Sequence, residues 1–306
     1  MDSILVVLLG STLLLMTPIM LAALGEIIAE RAGVLNISIE GVMLCGCFAA
    51  AAALQFGMGL VAAVLVSVPA GLLLGAALSW LYITRRVNQI VGGILFNLLA
   101  LGLTTMLYVS HFTANTAGAI FQATPIPLLS ELPIVGPSLF NQPLFVYLVM
   151  LLVPMTHHLL FSTWFGLHTR AAGERPEAVD SAGVSVNAIR GLALTIGCAL
   201  IALGGAALVV LQSGAFTAGM TAGKGFIALA IAMVARWRPL MTIPAAALFG
   251  FAESFQYQAQ TLGLEVVPSQ LWSMLPYVVT ILAVVIGRAA RYPAAIGVSY
   301  RRAGVD

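Results

Sequence analysis

Residues 171–183 read AAGERPEAVDSAG and stand between two long apolar runs. From Arg170 to Asp180 the chain carries two arginines and three acids, although only 8% of its 306 residues are charged. Pro176 suits the first turn of a helix, where its missing N–H costs nothing, and Gly183 suits the left-handed position just past a helix end. This stretch predicts a short, water-exposed amphipathic helix at about residues 176–182. The alternative interpretation is an ordinary solvated loop.

The rest of the chain is strongly apolar. Hydrophobic residues make up 61% of the sequence, whereas soluble domains are about 45–50% apolar and about 25% charged. So few polar residues cannot cover a soluble globule of this size. Apolar runs of about 20 residues recur along the whole length, and the alternating strands of a membrane barrel do not. The composition therefore predicts an all-α, polytopic helical membrane protein.

We expect about nine membrane segments, with a range of 8–10. They fall at about residues 4–24, 34–55, 60–83, 89–110, 142–162, 191–212, 216–235, 240–257 and 271–287. The uncharged run between Lys224 and Arg236 has only 11 residues. A spanning helix needs roughly 20, so this run is expected to form a half-helix or a re-entrant element. We see no soluble domain, so residues 1–306 are predicted to form a single transmembrane domain.

The distribution of basic residues orients these segments. With the N-terminus outside, alternate loops place twelve of the thirteen basic residues on one side and only Lys224 on the other. The twelve are Arg31, Arg85, Arg86, Arg170, Arg175, Arg190, Arg236, Arg238, Arg288, Arg291, Arg301 and Arg302. The positive-inside rule assigns the basic side to the cytoplasm. We therefore predict the N-terminus out, the C-terminus in, and a cytoplasmic loop at about residues 168–190 that contains the charged helix.

A first polar cluster at membrane depth lies in residues 33–41, GVLNISIEG. It contains Asn36, Ser38 and Glu40. The spacing of four residues puts Asn36 and Glu40 on one face of a predicted helix. Ionisable groups at this depth usually face the bundle interior or a water-filled path. The cluster either lines a translocation pathway or cross-links packed helices.

A second cluster, residues 88–97, reads NQIVGGILFN, and Thr104 follows one helical face beyond Asn97. A face of small and polar residues suits tight helix packing or a polar channel equally well. Both interpretations stay open for Asn97 and Thr104.

The sequence predicts no catalytic, cofactor or metal site, and hence no enzyme. Its three cysteines lie in apolar runs and are expected to be small core residues. The Gly223-Lys224 pair lacks the earlier glycine and the following Ser or Thr of a phosphate-binding loop. ATP binding by this chain is therefore not expected. An ion-coupled secondary transporter that uses Glu40 or Glu253 is a less favoured alternative.

Four stretches in order resemble one family. They are residues 30–41 (ERAGVLNISIEG), 173–184 (GERPEAVDSAGV), 223–230 (GKGFIALA) and 273–280 (SMLPYVVT). Together they are similar to the membrane permease subunits of ATP-binding cassette importers of the ribose, nucleoside and branched-chain amino acid group, especially the simple-sugar and nucleoside branch. The resemblance runs from about residue 20 to 290. Residues 88–104 resemble the shorter of the two permeases that are often paired in that branch.

The resemblance implies a nucleoside permease in a bacterial inner membrane, with a simple sugar such as ribose or a branched-chain amino acid as the alternative substrate. It implies two cytoplasmic ATPase subunits that use ATP and Mg²⁺, a second permease subunit in a heterodimer and an extracytoplasmic binding protein, with no nucleic-acid partner. It also implies that the charged helix couples the permease to the ATPase. The implied coupling residues are Gly173, Glu174, Pro176, Glu177, Ala178, Asp180, Ala182 and Gly183.

Overall fold

The computed structural model describes residues 2–111, 118–127, 129–133, 135–261, 269–286 and 292–301. Within these ranges the chain is mostly helical, with one two-residue antiparallel strand pair, β1 (Thr124–Pro125) and β2 (Asn141–Gln142). The α-helices are α1 (Asp2–Arg31), α2 (Ile39–Gln55), α3 (Leu60–Ser79), α4 (Gln89–His111), α5 (Val135–Leu139), α6 (Leu144–Ser162), α7 (Trp164–Glu174), α8 (Pro176–Ser181), α9 (Val186–Leu208), α10 (Lys224–Val234), α11 (Thr242–Thr261) and α12 (Ser269–Ile286). Two π-helical turns, Trp80–Thr84 and Val209–Ser213, extend α3 and α9, and a 3₁₀ turn, Pro239–Met241, precedes α11.

Among the described residues, five helical segments are long and apolar enough to cross a membrane. They are Ile4–Arg31, Leu60–Thr84, Gln89–His111, Leu144–Ser162 and Val186–Ser213. The helices α10 and α11 pass the same test only together, and α2 and Gln270–Val285 are apolar but shorter. Each of the nine predicted segments therefore contains one apolar helix, while length and composition support five or six crossings. The count of nine and the orientation stay predictions.

The short element predicted between Lys224 and Arg236 is confirmed. Helix α10 has 11 residues and starts after Gly223, whose φ of 81° is left-handed. The chain then turns through Arg236 and Trp237, both with positive φ, and α11 leaves at an angle of 119° to α10. This geometry is that of a broken span or a re-entrant loop.

Helix α9 is the centre of the packing, because it lies against α1, α2 and α3. Small residues permit the close approach. A Cβ on Gly46 of α2 would lie 2.6 Å from the Cα of Ala202 on α9. Membrane helices pack through such small residues because lipid tails provide no hydrophobic force between helices.

The prediction that Asn36 and Glu40 share one helical face is wrong. Helix α1 ends at Arg31 and α2 begins only at Ile39, so Asn36 lies in the turn between them and Glu40 lies in the first turn of α2. Gly33 adopts a φ of 87°, a left-handed conformation that interrupts the helix. The sequence places the break between the first two segments at residues 25–33, whereas the structure places it at residues 32–38.

The segment predicted to begin at residue 191 begins five residues earlier. Helix α9 starts at Val186, and its N-cap Ser185 accepts a hydrogen bond from the Ala188 N–H at 3.3 Å. Arg190, which the sequence predicts in the preceding loop, is therefore inside the helix and is buried. The other predicted cytoplasmic arginines include Arg288, Arg291 and Arg302, which lie outside the described residues.

The short charged helix occurs where the sequence predicts it. Helix α8 has Pro176 in its first turn, and Gly183 follows its end with a φ of 79°. Pro176 and Val179 are buried, whereas Glu177 is exposed. The helix therefore packs on one side and presents charge on the other.

Candidate functional site

An open cavity of about 460 Å³ is lined by the end of α9, the turn at residues 214–223, and helices α10, α11 and α12. Its polar lining residues are Gln212, Ser213, Thr217, Lys224, Glu253, Gln256, Tyr257, Ser273 and Tyr277. Amides, hydroxyls and phenol rings thus dominate the polar surface. Such a lining can bind an uncharged solute that carries many hydrogen-bonding groups.

The two charged residues of the cavity neutralise each other. Lys224 Nζ forms an ion pair with Glu253 Oε1, and the two side chains are only 14% and 12% exposed. An unpaired charge on a side chain that is mostly buried is costly, because it loses part of its hydration. The ion pair joins α10 to α11 and leaves the cavity without net charge.

The start of α10 is capped by a side chain from α2. Glu40 accepts hydrogen bonds from the Gly223 N–H at Oε1 and from the Gly225 N–H at Oε2, both at 2.8 Å. The first N–H groups of a helix have no partner within the helix, and a negative charge there is favourable. A Cβ on Gly225 would lie 2.7 Å from the Glu40 Cα, so glycine permits this approach. Glu40 therefore fixes the half-helix against α2.

Asn97 makes a similar link between α4 and the start of α2. Its Oδ1 accepts a hydrogen bond from the Gly41 N–H at 2.8 Å, and its Nδ2 donates to the Ile37 carbonyl at 2.9 Å. Helix α2, which carries Glu40, is thus held by the neighbouring helix.

The remaining predicted membrane-depth residues make local contacts. Ser38 Oγ donates to Asn36 Oδ1 at 2.5 Å, and the Tyr82 hydroxyl donates to Ser38 Oγ at 3.4 Å. Thr104 Oγ1 donates to the Ala100 carbonyl of its own helix at 2.7 Å. None of the five residues predicted at membrane depth, Asn36, Ser38, Glu40, Asn97 and Thr104, is among those that line the cavity. Whether these polar groups serve a pathway or helix packing stays a prediction.

Helix α12 closes the cavity through two further hydrogen bonds. The Tyr277 hydroxyl donates to the Ala222 carbonyl at 2.8 Å, which ties α12 to the turn before α10. Gln256 Nε2 donates to Ser273 Oγ at 3.4 Å, which links α11 to α12. A displacement of α12 would therefore also move α11 and the turn before α10.

The predicted coupling residues surround α8. Glu174, Glu177, Ala178, Ala182 and Gly183 are exposed, Asp180 is half-buried, and Gly173 and Pro176 are buried. The Gly173 carbonyl accepts a hydrogen bond from the Ala295 N–H at 2.8 Å, so this region contacts the C-terminal part of the chain. The coupling role of these residues stays a prediction.

Sequence reasoning missed the cavity and its ion pair. A signal was present, because Lys224 is the only lysine, and Glu253 is an isolated acid in an apolar segment. Two isolated, opposite charges at membrane depth predict a pair. The uncharged lining residues Gln212, Gln256 and Ser273 carry no comparable signal, since amides and hydroxyls occur along many of the helices.

A comparison with protein families matches residues 8–284 to the permease component of branched-chain amino acid transport systems. The match covers most of the chain, including all the residues that line the cavity.

Three relatives are similar over nearly their full length. The guanosine ABC transporter permease protein NupQ of Bacillus subtilis is 35% identical, with 97% of each chain covered. The nucleoside ABC transporter permease protein NupC of Lactococcus lactis is 32% identical, with 96% of each covered. A third relative, from Haloferax volcanii, is 35% identical, with 90% of this chain and 89% of that protein covered. It is provisionally named as a glucose ABC transporter permease protein.

Replacement of Glu40 tests the cap. Glu40→Ala leaves the Gly223 and Gly225 N–H groups without their acceptor, and each buried unsatisfied group costs about 1–3 kcal/mol. We expect hydrogen exchange at these two amides to accelerate by roughly 5- to 150-fold, the factor that corresponds to that energy. Glu40→Gln, which keeps one acceptor oxygen, should lie between wild type and alanine. Unchanged exchange in Glu40→Ala would show that the carboxylate does not hold the helix.

A double-variant cycle tests the ion pair. Lys224→Met and Glu253→Gln each leave one charge unpaired in the cavity wall, and each should lower the free energy of unfolding by about 1–3 kcal/mol. The double variant removes both charges and should recover to within about 1 kcal/mol of wild type. The measurement is unfolding of the detergent-solubilised protein. If the loss in the double variant equals the sum of the single losses, the two charges do not interact.

Proposed function

The chain belongs to the family of permease components of branched-chain amino acid transport systems, and we propose that it is the membrane-spanning permease subunit of an ATP-driven, binding-protein-dependent importer of nucleosides. It is a multi-pass protein of the inner membrane. The proposal places its N-terminus outside the cell and its C-terminus in the cytoplasm, with nine membrane segments.

The cavity is the observation that carries this proposal. A nucleoside is uncharged, and its base and ribose offer amide-like edges and hydroxyls. The cavity is electrically neutral, because Lys224 and Glu253 are paired, and it presents amides, hydroxyls and tyrosines. Its volume of about 460 Å³ lies within the usual range for small-molecule sites, about 300–1,000 Å³. Two relatives that match 97% and 96% of the chain are named for nucleosides.

The energy for transport comes, in this proposal, from two cytoplasmic ATPase subunits. The two carboxylates that the sequence suggests for ion coupling are already engaged, Glu40 with two backbone N–H groups and Glu253 with Lys224. These contacts favour ATP-driven transport over ion coupling. The chain holds no cofactor itself, and the partner subunits use ATP and Mg²⁺.

Helix α8 is the proposed coupling element. Glu177, Ala178, Ala182 and Gly183 are exposed around it, so they can contact an ATPase subunit. Closure of the ATPase dimer would move α8 with the helices on either side of it, α7 and α9, as a rigid body. We further propose that a second permease subunit completes a heterodimer, and that an extracytoplasmic binding protein delivers the solute.

A sugar is the second candidate substrate. The Haloferax volcanii relative named for glucose is as similar in identity as the guanosine permease. Amides and hydroxyls such as Gln212, Gln256 and Ser273 can also bind the hydroxyls of a neutral sugar. A branched-chain amino acid fits less well, because its ammonium and carboxylate would enter a cavity without a free charge of either sign.

Reconstitution into vesicles tests the function. The vesicles contain this chain, the second permease subunit and the ATPase subunits, with the binding protein outside. We expect guanosine and other nucleosides to stimulate ATP hydrolysis and to be taken up, while glucose, ribose and leucine have little effect. Stimulation by a sugar alone would establish the second candidate. Uptake driven by a proton or sodium gradient without ATP would overturn the proposal.

A further inference from the structure

The described C-terminal segment, residues 292–301, which we term the tail, is bound to the α8 region by backbone hydrogen bonds. The Ala295 N–H donates to the Gly173 carbonyl at 2.8 Å, and the Gly297 N–H donates to the Gly33 carbonyl at 3.0 Å. The Ala294 N–H also approaches Glu174 Oε2 at 3.5 Å. The tail thus joins the segment before α8 to the end of α1.

The buried side chain of Arg190 binds the tail through hydrogen bonds. Its side chain is only 2% exposed, and its guanidinium donates to three carbonyls: Val298 at 2.6 Å, Ala172 at 3.1 Å and Ala295 at 3.4 Å. A buried charge requires such hydrogen bonds to offset its lost hydration. The first turns of α9, the end of α7 and the tail therefore meet at one side chain.

Two grooves lie beside α8, and the tail forms a wall of each. The larger, about 430 Å³, has Glu174, Pro176 and Glu177 on one side and tail residues that include Tyr300 and Arg301 on the other. The smaller, about 210 Å³, lies between Tyr300 and residues 183–187 and includes Asp180. Tyr300 lines both grooves and also packs against the buried cluster of Ala172, Val179 and Val186.

The charge of these grooves indicates the chemistry of a partner. Among the described residues that line them, three are acidic, Glu174, Glu177 and Asp180, and one is basic, Arg301. An acidic groove attracts a protein surface with basic side chains and repels the phosphate groups of lipids. Helix α8 alone has six residues and buries two of them, so the tail supplies much of the surface that a partner would meet.

We infer that the tail is the second wall of the docking site for the cytoplasmic ATPase subunit, which inserts a basic side chain between the acids of α8 and Tyr300. This inference rests on the proposed function, because the partner is the ATPase of the importer. The tail and α8 form one platform: ATPase closure acts on both, and Arg190 transmits the displacement to α9.

Two truncations that differ by two residues test the inference. One ends after Arg301 and keeps the whole tail. The other ends after Ser299 and removes Tyr300 and Arg301, so Val298 keeps its amide carbonyl, and every carbonyl that Arg190 contacts and the hydrogen bonds of residues 294–297 remain. The affinity of each assembled permease for its purified ATPase subunit is measured in nanodiscs. We expect the shorter chain to bind at least about tenfold more weakly, the loss typical of a central interface residue.

A point variant provides a second test in case the shorter truncation fails to assemble. Tyr300→Ala in the full chain should weaken ATPase binding about three- to tenfold, with assembly of the two permease subunits unchanged. Equal affinity, within about twofold, for both truncations and for Tyr300→Ala would overturn the role of the tail. Failure of the full wild-type chain to bind any ATPase subunit would instead overturn the proposed function.

Discussion

The Glu40 carboxylate caps the first turn of the half-helix α10. The backbone N–H groups of that turn need a hydrogen-bond partner from the protein itself, because a bilayer supplies none. Unpaired N–H groups cost several kcal/mol in a bilayer, roughly as much as removing them from water without compensation. Glu40 accepts hydrogen bonds from two of these groups, the N–H of Gly223 and the N–H of Gly225. Its negative charge also interacts favourably with the positive end of the helix dipole. The position of α10, and with it one wall of the cavity, depends on this contact between α2 and α10.

The contacts around Glu40 form a continuous series. Asn97 on α4 holds the start of α2, Glu40 on α2 holds the start of α10, and Lys224 on α10 pairs with Glu253 on α11. The central span Val186–Ser213 completes the path, since Arg190 near one end contacts the tail and Gln212 near the other end lines the cavity. A displacement at α8 and the tail can therefore reach the cavity along one buried helix. This arrangement provides the physical basis for the proposed coupling of ATP hydrolysis to transport.

The parts of the fold that follow from composition and local chemistry could be predicted from the sequence. Apolar runs located the nine helical segments, and Pro176 and Gly183 located α8 and its end. The predicted segments place a break between α1 and α2 at residues 25–33, but its exact position could not be predicted, because α1 continues through the charged residues Glu26 and Glu30 to Arg31. The cap by Glu40 and the pair of Lys224 with Glu253 join residues that are 183 and 29 positions apart. The isolated charges of Lys224 and Glu253 are a sequence signal for the pair, but the helix packing that brings Glu40 to the start of α10 is not encoded in any local pattern of a single sequence.

We propose that the cavity beside α10 is a part of the solute pathway that is accessible from water, and cysteine labelling tests this proposal. In a background without Cys45, Cys47 and Cys198, single cysteines replace Thr217 and Ser273, which line the cavity, and Leu98, which is exposed on α4. A membrane-impermeant thiol reagent is applied to the assembled transporter in vesicles, with and without nucleoside and ATP. We expect that Thr217→Cys and Ser273→Cys react, that nucleoside protects them and that ATP changes their rates, while Leu98→Cys stays unmodified in lipid. If the cavity cysteines are as unreactive as Leu98→Cys under every condition, the cavity is not part of the pathway.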